Sequence, residues 1–256
     1  KVASVEAPTV AFDANSLARS DLEPPKNPNK RKHPEPSTES RVQHDQTEAT
    51  TEDKTDVSNL ATYFGDKPFV YEQTPVGVTM GLARTTPTDG LAWYLKATLV
   101  KEGEGIGCFN VIGQVGIDTY RSGCVAYKVA HQILRRKQPD NNFFTKSVVH
   151  LHFPKAGGQS AGCTMSTSLL SFAMNKPVRK NLAMTGEITL TGGILPVAYV
   201  KEKTIGARRS QVKTIIFPEG NRKDFDELPE NLKEGLDVHF VDDYEQIFEL
   251  AFNYDH

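Results

Sequence analysis

From residue 57 onward, short β-branched apolar runs alternate with stretches of helical spacing, and glycines and prolines mark the joints. Residues 78–84, 91–101 and 108–113 are apolar runs of strand length bounded by turn residues, and read as strands. Next, Ile117, Tyr120, Cys124, Tyr127 and Leu134 form one apolar stripe of a predicted helix. Arg135, Arg136 and Lys137 give that helix a basic finish suited to its C-terminal dipole, and Pro139 ends it. Residues 148–153 alternate, with Val149, Leu151 and Phe153 on one face of a strand and Val148, His150 and His152 on the other. A glycine loop (Gly157, Gly158) leads into a helix predicted over about 160–174. Residues 188–197 predict a hairpin around Thr191-Gly192-Gly193. A helix over 201–209 and a strand over 212–217 follow. The last stretch reads as helix, strand (238–241), helix, with Asn221 at the N-cap of the first. Strands in runs, interleaved irregularly with helices, predict an α+β fold with mixed sheets and flanking helices.

Residues 21–56 have a different character: Pro, Lys, Asn, Glu, Thr, Ser and Gln dominate, with almost no large apolar side chain. Such a segment cannot bury enough surface to offset its ordering entropy. The expected division is therefore a largely disordered, low-complexity leader or linker over 1–56 and a folded domain over 57–256. Charge in the leader is segregated. Lys26, Lys30, Arg31 and Lys32 make a basic knot, while Asp45, Glu48, Glu52, Asp53 and Asp56 make an acidic stretch. A nucleic-acid tail and a tolerated linker insertion both fit; the lack of aromatic residues among the basic ones favours the linker.

Composition narrows the function classes. The 30 Lys and Arg residues nearly balance 32 Asp and Glu, so total charge marks neither a nucleic-acid binder nor a membrane-surface protein. No apolar run approaches the roughly 20 residues that span a bilayer, and no membrane partner is expected. Cys108, Cys124 and Cys163 are odd in number and lack a C-x-x-C pair, which fits neither a disulfide framework nor a zinc site. They are expected as small buried hydrophobes in a reducing compartment. The chain opens on Lys1 without a signal-like segment and reads as a piece of a longer or processed polypeptide.

Candidate chemistry centres on Gly157-Gly158-Gln159-Ser160-Ala161-Gly162, which opens a predicted helix. Small neighbours permit close backbone approach to Ser160, and first-turn N–H groups can stabilise an oxyanion. Serine is equally a favoured N-cap, so the pattern alone does not make it a nucleophile. A nucleophilic serine needs a base. His150 and His152 lie just upstream on a strand, but no Asp stands out to orient either ring. Lysine is the other option, provided burial lowers its pKa from about 10.4. Lys201 and Lys203, two apart on a helix, point roughly 200° apart, so one can face inward while the other is solvated.

Several segments, in order and spacing, resemble the Lon peptidase family. They are Ser160-Ala161-Gly162, Asn175-Lys176-Pro177-Val178-Arg179, Met184-Thr185-Gly186-Glu187-Ile188-Thr189-Leu190 and Lys201-Glu202-Lys203. Thr74 to Ala83 is similar to the family's first strand, and Thr214 to Pro218 and Glu227 to Asn231 are similar to its C-terminal part. The resemblance implies a serine peptidase in which Ser160 is the nucleophile and Lys203 the base of a Ser-Lys dyad. Thr185 would orient the lysine amine, with His150, His152 and Gly158 as supporting residues. It implies no cofactor or metal in this domain. ATP and Mg would belong to an AAA+ ATPase domain upstream, since no G-x-x-x-x-G-K-[ST] loop occurs here. It also implies a homohexameric ring acting on unfolded or damaged protein substrates, and places any DNA binding in the full-length protein. The wording of the first strand and the low-complexity insertion are more like mitochondrial members, which points to the matrix.

Three departures from the family pattern stand out. Gly157-Gly158-Gln159 precedes Ser160 where Asp-Gly-Pro is usual, predicting a looser loop. Ala198-Tyr199-Val200 replaces a glycine pair before Lys201, and Lys96 stands where an acidic residue is expected. They leave two rivals to an active peptidase: a catalytically silent ring component and a nucleic-acid module using the basic leader.

Overall fold

The computed structural model describes residues 71–103, 107–113, 115–153 and 158–253. The leader expected over 1–56 lies outside them. A seven-stranded sheet forms the middle layer, built from β1 (Val78–Thr86), β2 (Asp89–Glu102), β3 (Cys108–Ile112), β4 (Ser147–His152), β5 (Leu182–Met184), β8 (Thr214–Pro218) and β9 (Asp237–Val241). Their order is β3-β4-β2-β1-β5-β8-β9. Among these strands β2 alone runs against the rest, pairing antiparallel with β1 and β4. The remaining neighbours are parallel. A two-stranded ribbon, β6 (Glu187–Ile188) with β7 (Ile194–Leu195), stands apart as the predicted hairpin. The expected α+β class with mixed strand directions is thus met.

The period-2 alternation of strand side chains sends successive residues to two cores. Leu182 and Met184 of β5 and Ile216 of β8 join one core; Ala183, Ile215 and Phe217 join the other. The larger core is covered by α1 (Ile117–Lys137), α3 (Gly162–Ala173) and α7 (Tyr244–Phe252). The smaller is covered by α4 (Val200–Arg209) and the short α5 (Arg222–Asp226), with Ala207 and Phe225 among its members. Two further one-turn helices, α2 (Phe143–Lys146) and α6 (Glu230–Lys233), complete the described α-helices. Strand β4 alternates as read: Val149, Leu151 and Phe153 are buried, whereas His152 is exposed.

Two expectations need correcting. The stripe assigned to α1 is rotated: Ile117 and Tyr120 are 61% and 41% exposed, and the buried face is Thr119, Ser122, Gly123, Ala126, Val129, Ala130, Ile133 and Leu134. Small residues face the core because α1 lies close against α3, with Ser166 Oγ donating to Ala126 O at 3.2 Å. Tyr127 instead stacks on Phe109 at the sheet margin, ring centroids 4.8 Å apart. The cysteines are not uniformly buried either: Cys163 is, Cys124 is half-buried and Cys108 is exposed. Cys108 opens β3, which among the described residues has a strand neighbour on one side only.

Candidate active site

Ser160 lies in a 3-10 turn, Gln159–Ala161, that runs directly into α3. Its backbone is pinned from across the chain. The Ser160 carbonyl accepts from Gly186 N at 2.8 Å and from Thr185 Oγ1 at 3.2 Å. Cys163 N in turn donates to Gly186 O at 3.1 Å, so the Thr185-Gly186 corner after β5 grips the start of α3 at two levels. Gly162 permits this approach: a Cβ there would sit 2.8 Å from Ile188 Cγ2 and 2.9 Å from Ile188 N.

Lys203 reaches the same corner from the opposite layer. On α4, Val200, Lys203, Thr204 and Ala207 recur at helical spacing and are buried, while Lys201 is exposed. The 200° separation expected between the two lysines is realised. Lys203 is 3% exposed, and its Nζ donates to Thr185 Oγ1 at 2.9 Å. Thr185, itself 1% exposed, accepts from the amine and donates its own hydroxyl hydrogen bond to the Ser160 carbonyl. Burial disfavours the ammonium form and lowers the Lys203 pKa to about 8. Cys163 lies close enough to oppose that shift slightly, but burial pushes its own thiol up to about 12, so it is a neutral neighbour.

Ser160 and Lys203 line one cavity of about 350 Å³, with Gly158, Gln159, Leu82–Arg84, Trp93, Glu187 and residues 196–199. Only Met80 and Gly81 of β1 pair with β5, so the strand continues past its partner and brings Leu82, Ala83 and Arg84 to the cavity wall. A larger groove of about 810 Å³, lined by Arg179, Lys180 and Lys213, includes neither residue of the pair.

Not every sequence candidate arrives here. His150 pairs with Thr98 and Asn110, and His152 with Lys96 and Ile112, in the sheet; neither histidine lines the cavity. Lys96, the residue at the expected acidic position, is exposed and also away from it. Gly158 does line the cavity, but its backbone is extended (φ −159°) and a Cβ there would meet nothing within 4 Å. Residues 154–157 of the altered loop lie outside the described residues.

Asn221 corrects an expectation. It occupies the N-cap position of α5, yet its side chain makes no cap bond. It is 2% exposed and clamps Val197 instead, accepting from Val197 N and donating to Val197 O, both at 2.8 Å. A capping residue must present its oxygen to the helix's own N–H groups, and here that oxygen is committed to the cavity wall. Arg84 and Trp93 also line the cavity, and so does Tyr199 of the Ala198-Tyr199-Val200 departure. Arg84 and Trp93 carried no sequence signal beyond strand pattern.

Residues 54–254 match the Lon protease (S16) C-terminal proteolytic domain. Over 208 residues, 78% of the chain and 22% of the relative, the chain is 61% identical to Lon protease homolog 1, mitochondrial, of Arabidopsis thaliana. It is 50% identical to Lon protease homolog 4, chloroplastic/mitochondrial, of the same plant, across 100% of the chain and 30% of that protein. With Lon protease of Chlamydia trachomatis the identity is 45% over 76% of the chain and 24% of the relative. The chain thus spans about a fifth to a third of the length of the curated relatives it matches.

Proposed function

The chain belongs to the family of the Lon protease (S16) C-terminal proteolytic domain, and from that premise we propose that it cleaves peptide bonds with Ser160 as nucleophile and Lys203 as general base. One observation carries this reading: a buried lysine amine with its pKa lowered to about 8 is held by Thr185, which also bonds the Ser160 backbone beside a shared cavity. The neutral amine takes the Ser160 hydroxyl proton as Oγ attacks the carbonyl carbon. The resulting ammonium returns the proton to the leaving amine as the C–N bond breaks. Water then enters by the same base catalysis, and the acyl-enzyme is hydrolysed to the carboxylic acid.

The N–H groups of Ala161, Gly162 and Cys163 already donate to the carbonyls of Gly158, Gln159 and Gly186. An oxyanion therefore needs donors at Ser160 or before it, which gives the stretch ahead of the serine its chemical importance. His150 and His152 take no step in this scheme.

The relatives are much longer than this chain, and the names of several include "mitochondrial". Within the same proposal, the domain acts in a ring of six copies, fed unfolded or damaged proteins by an ATPase that holds ATP and Mg, in the mitochondrial matrix. Among the described residues no helix is long and apolar enough to cross a membrane.

The test is hydrolysis of an unstructured protein such as casein by the chain and its Ser160→Ala variant. Loss of turnover by at least about a thousandfold, with an unchanged circular dichroism spectrum, is expected. Substantial turnover by a folded Ser160→Ala protein overturns the nucleophile; no turnover by either favours the silent ring component.

A further inference from the structure

Tyr199 lies in the Ala198-Tyr199-Val200 segment just ahead of Lys201, and its backbone adopts a glycine-like conformation. Its φ and ψ of 66° and 42° are left-handed, a rare state for a bulky L residue. The strain is held at the N-cap of α4, the helix that carries Lys203, and the Tyr199 side chain makes no cap bond there. The ring is not buried to compensate: Tyr199 is 51% exposed and lines the Ser160–Lys203 cavity. A strained, exposed aromatic at a cavity wall is a feature that folding alone does not explain.

Its partner gives it a role. The Arg84 guanidinium lies over the Tyr199 ring, with Cζ 4.0 Å from the centroid. Arg84 extends from the part of β1 that runs past β5 and lines the same cavity. Stacking on the ring occupies the flat face of the guanidinium and limits its motion, which leaves the in-plane N–H edge for a carboxylate. Among the described residues no carboxylate is within ion-pair distance of Arg84; Asp89, on the same hairpin, is taken by Arg209 at 2.7 Å. The one carboxylate lining the cavity is Glu187.

We propose that Tyr199 and Arg84 form a specificity subsite beside the Ser160–Lys203 pair that takes an acidic side chain of an extended peptide. The ring braces and the guanidinium reads the charge. The subsite rests on the peptidase reading for its meaning, but peptide binding measures it separately from turnover.

Binding is followed by fluorescence anisotropy of labelled ten-residue peptides, of Ala and Leu background, on the Ser160→Ala chain, which cannot cut them. One Glu, or one Gln, is walked along the peptide. At one position Glu should bind about fivefold tighter than Gln, the upper range for an exposed ion pair, and 0.5 M salt should shrink the difference. Arg84→Gln should bring the ratio to one, and Tyr199→Gly should bring it to about twofold, while Tyr199→Phe keeps the ring and the ratio. A melting temperature for Tyr199→Gly at or above the parent's shows that the loss is not unfolding, since glycine suits this φ. Equal binding of Glu and Gln at every position, absence of binding by all peptides, or equal weakening of both peptides in the two variants overturns the subsite. Failure of the nucleophile assignment would show differently, as casein turnover that survives Ser160→Ala.

Discussion

The two helices that deliver Ser160 and Lys203 are built on opposite plans. Helix α3 is central: eleven of its twelve residues are buried, six of them Ser, Thr or Gly at one turn or another of the helix. Its hydroxyls are paired with distant parts of the chain: Ser168 Oγ donates to Gly77 O at 2.6 Å, Ser171 Oγ accepts from Gly77 N at 2.9 Å, and Thr167 Oγ1 bonds the Tyr244 hydroxyl at 2.6 Å. Buried polar groups satisfied in this way fix one geometry, because any shift leaves several of them unpaired. Helix α4 is a surface helix with Lys201, Arg208 and Arg209 exposed, and one buried charge-bearing group, Lys203. The nucleophile thus comes from the turn that opens a buried, cross-braced helix, and the base from a partly exposed one. Adjustment of the pair's geometry is expected on the lysine side.

The strongest way to test that division is to alter the two faces of α4 separately. Lys203→Gln should lose hydrolysis by at least about a thousandfold, and Lys201→Gln should stay within about threefold of the parent. Because a base must be neutral, kcat/KM should rise about tenfold per pH unit below pH 8 and level off above it, following the lowered Lys203 pKa. A profile flat from pH 6 to 9, or loss in Lys201→Gln with retention in Lys203→Gln, would contradict the assignment of the inward lysine.

Thr185 joins the two helices, and its hydroxyl serves both sides at once. Thr185→Ala leaves the buried amine without its acceptor and the Ser160 carbonyl with one donor fewer. A lost hydrogen bond to a charged group is worth roughly 1.5–3 kcal/mol, so kcat should fall about 10- to 100-fold. Thr185→Ser keeps the hydroxyl and should recover most of the rate. Equal rates in Thr185→Ala and the parent would show that Lys203 is positioned by burial alone.

The contrast between the helices also explains what the sequence made legible. Strand alternation in 148–153, the hairpin at Gly192 (φ +94°) and the inward turn of Lys203 were all readable, because each follows from a local period or from motif register. The α1 face was hard to read because much of its buried side is small (Thr119, Ser122, Gly123, Ala126 and Ala130), and close helix packing selects small residues that carry little hydrophobic signal. The histidines of β4 looked like candidates because proximity in sequence to Ser160 was visible, while the order of strands in the sheet was not. Thr185 and Lys203 entered as site residues through family resemblance, since nothing local marks a threonine 25 residues from a serine as its neighbour. Cross-chain clamps such as Asn221 were invisible for the same reason: their partners lie more than 20 residues away.

That clamp gives the smallest and most selective prediction. The Asn221 amide bonds both backbone groups of Val197, in the manner of a strand partner, and donates to Asp224 Oδ2 at 2.8 Å. Next to it, Gly220 lies so close to the wall that a Cβ would come within 2.4 Å of Pro196 Cγ. Turn Glu219–Asn221 therefore seats Pro196 and Val197, three residues ahead of α4, and through them sets the N-terminal end of the helix that presents Lys203. Asn221→Ala removes the side chain and leaves the Val197 N–H and carbonyl half-buried without it, at a cost of about 1–3 kcal/mol in stability. The effect on chemistry should be smaller and specific: kcat lower by about threefold to tenfold at pH 7, with the pH midpoint displaced from that of the parent because Lys203 sits in an altered environment. Ser160 is anchored by Thr185 and Gly186 instead, so the α3 side of the site should be untouched. Measuring melting temperature together with the pH profile separates the two roles. A variant that melts lower but titrates like the parent would make Asn221 a structural residue only, and would mean that α4 holds Lys203 in place without help from the cavity wall.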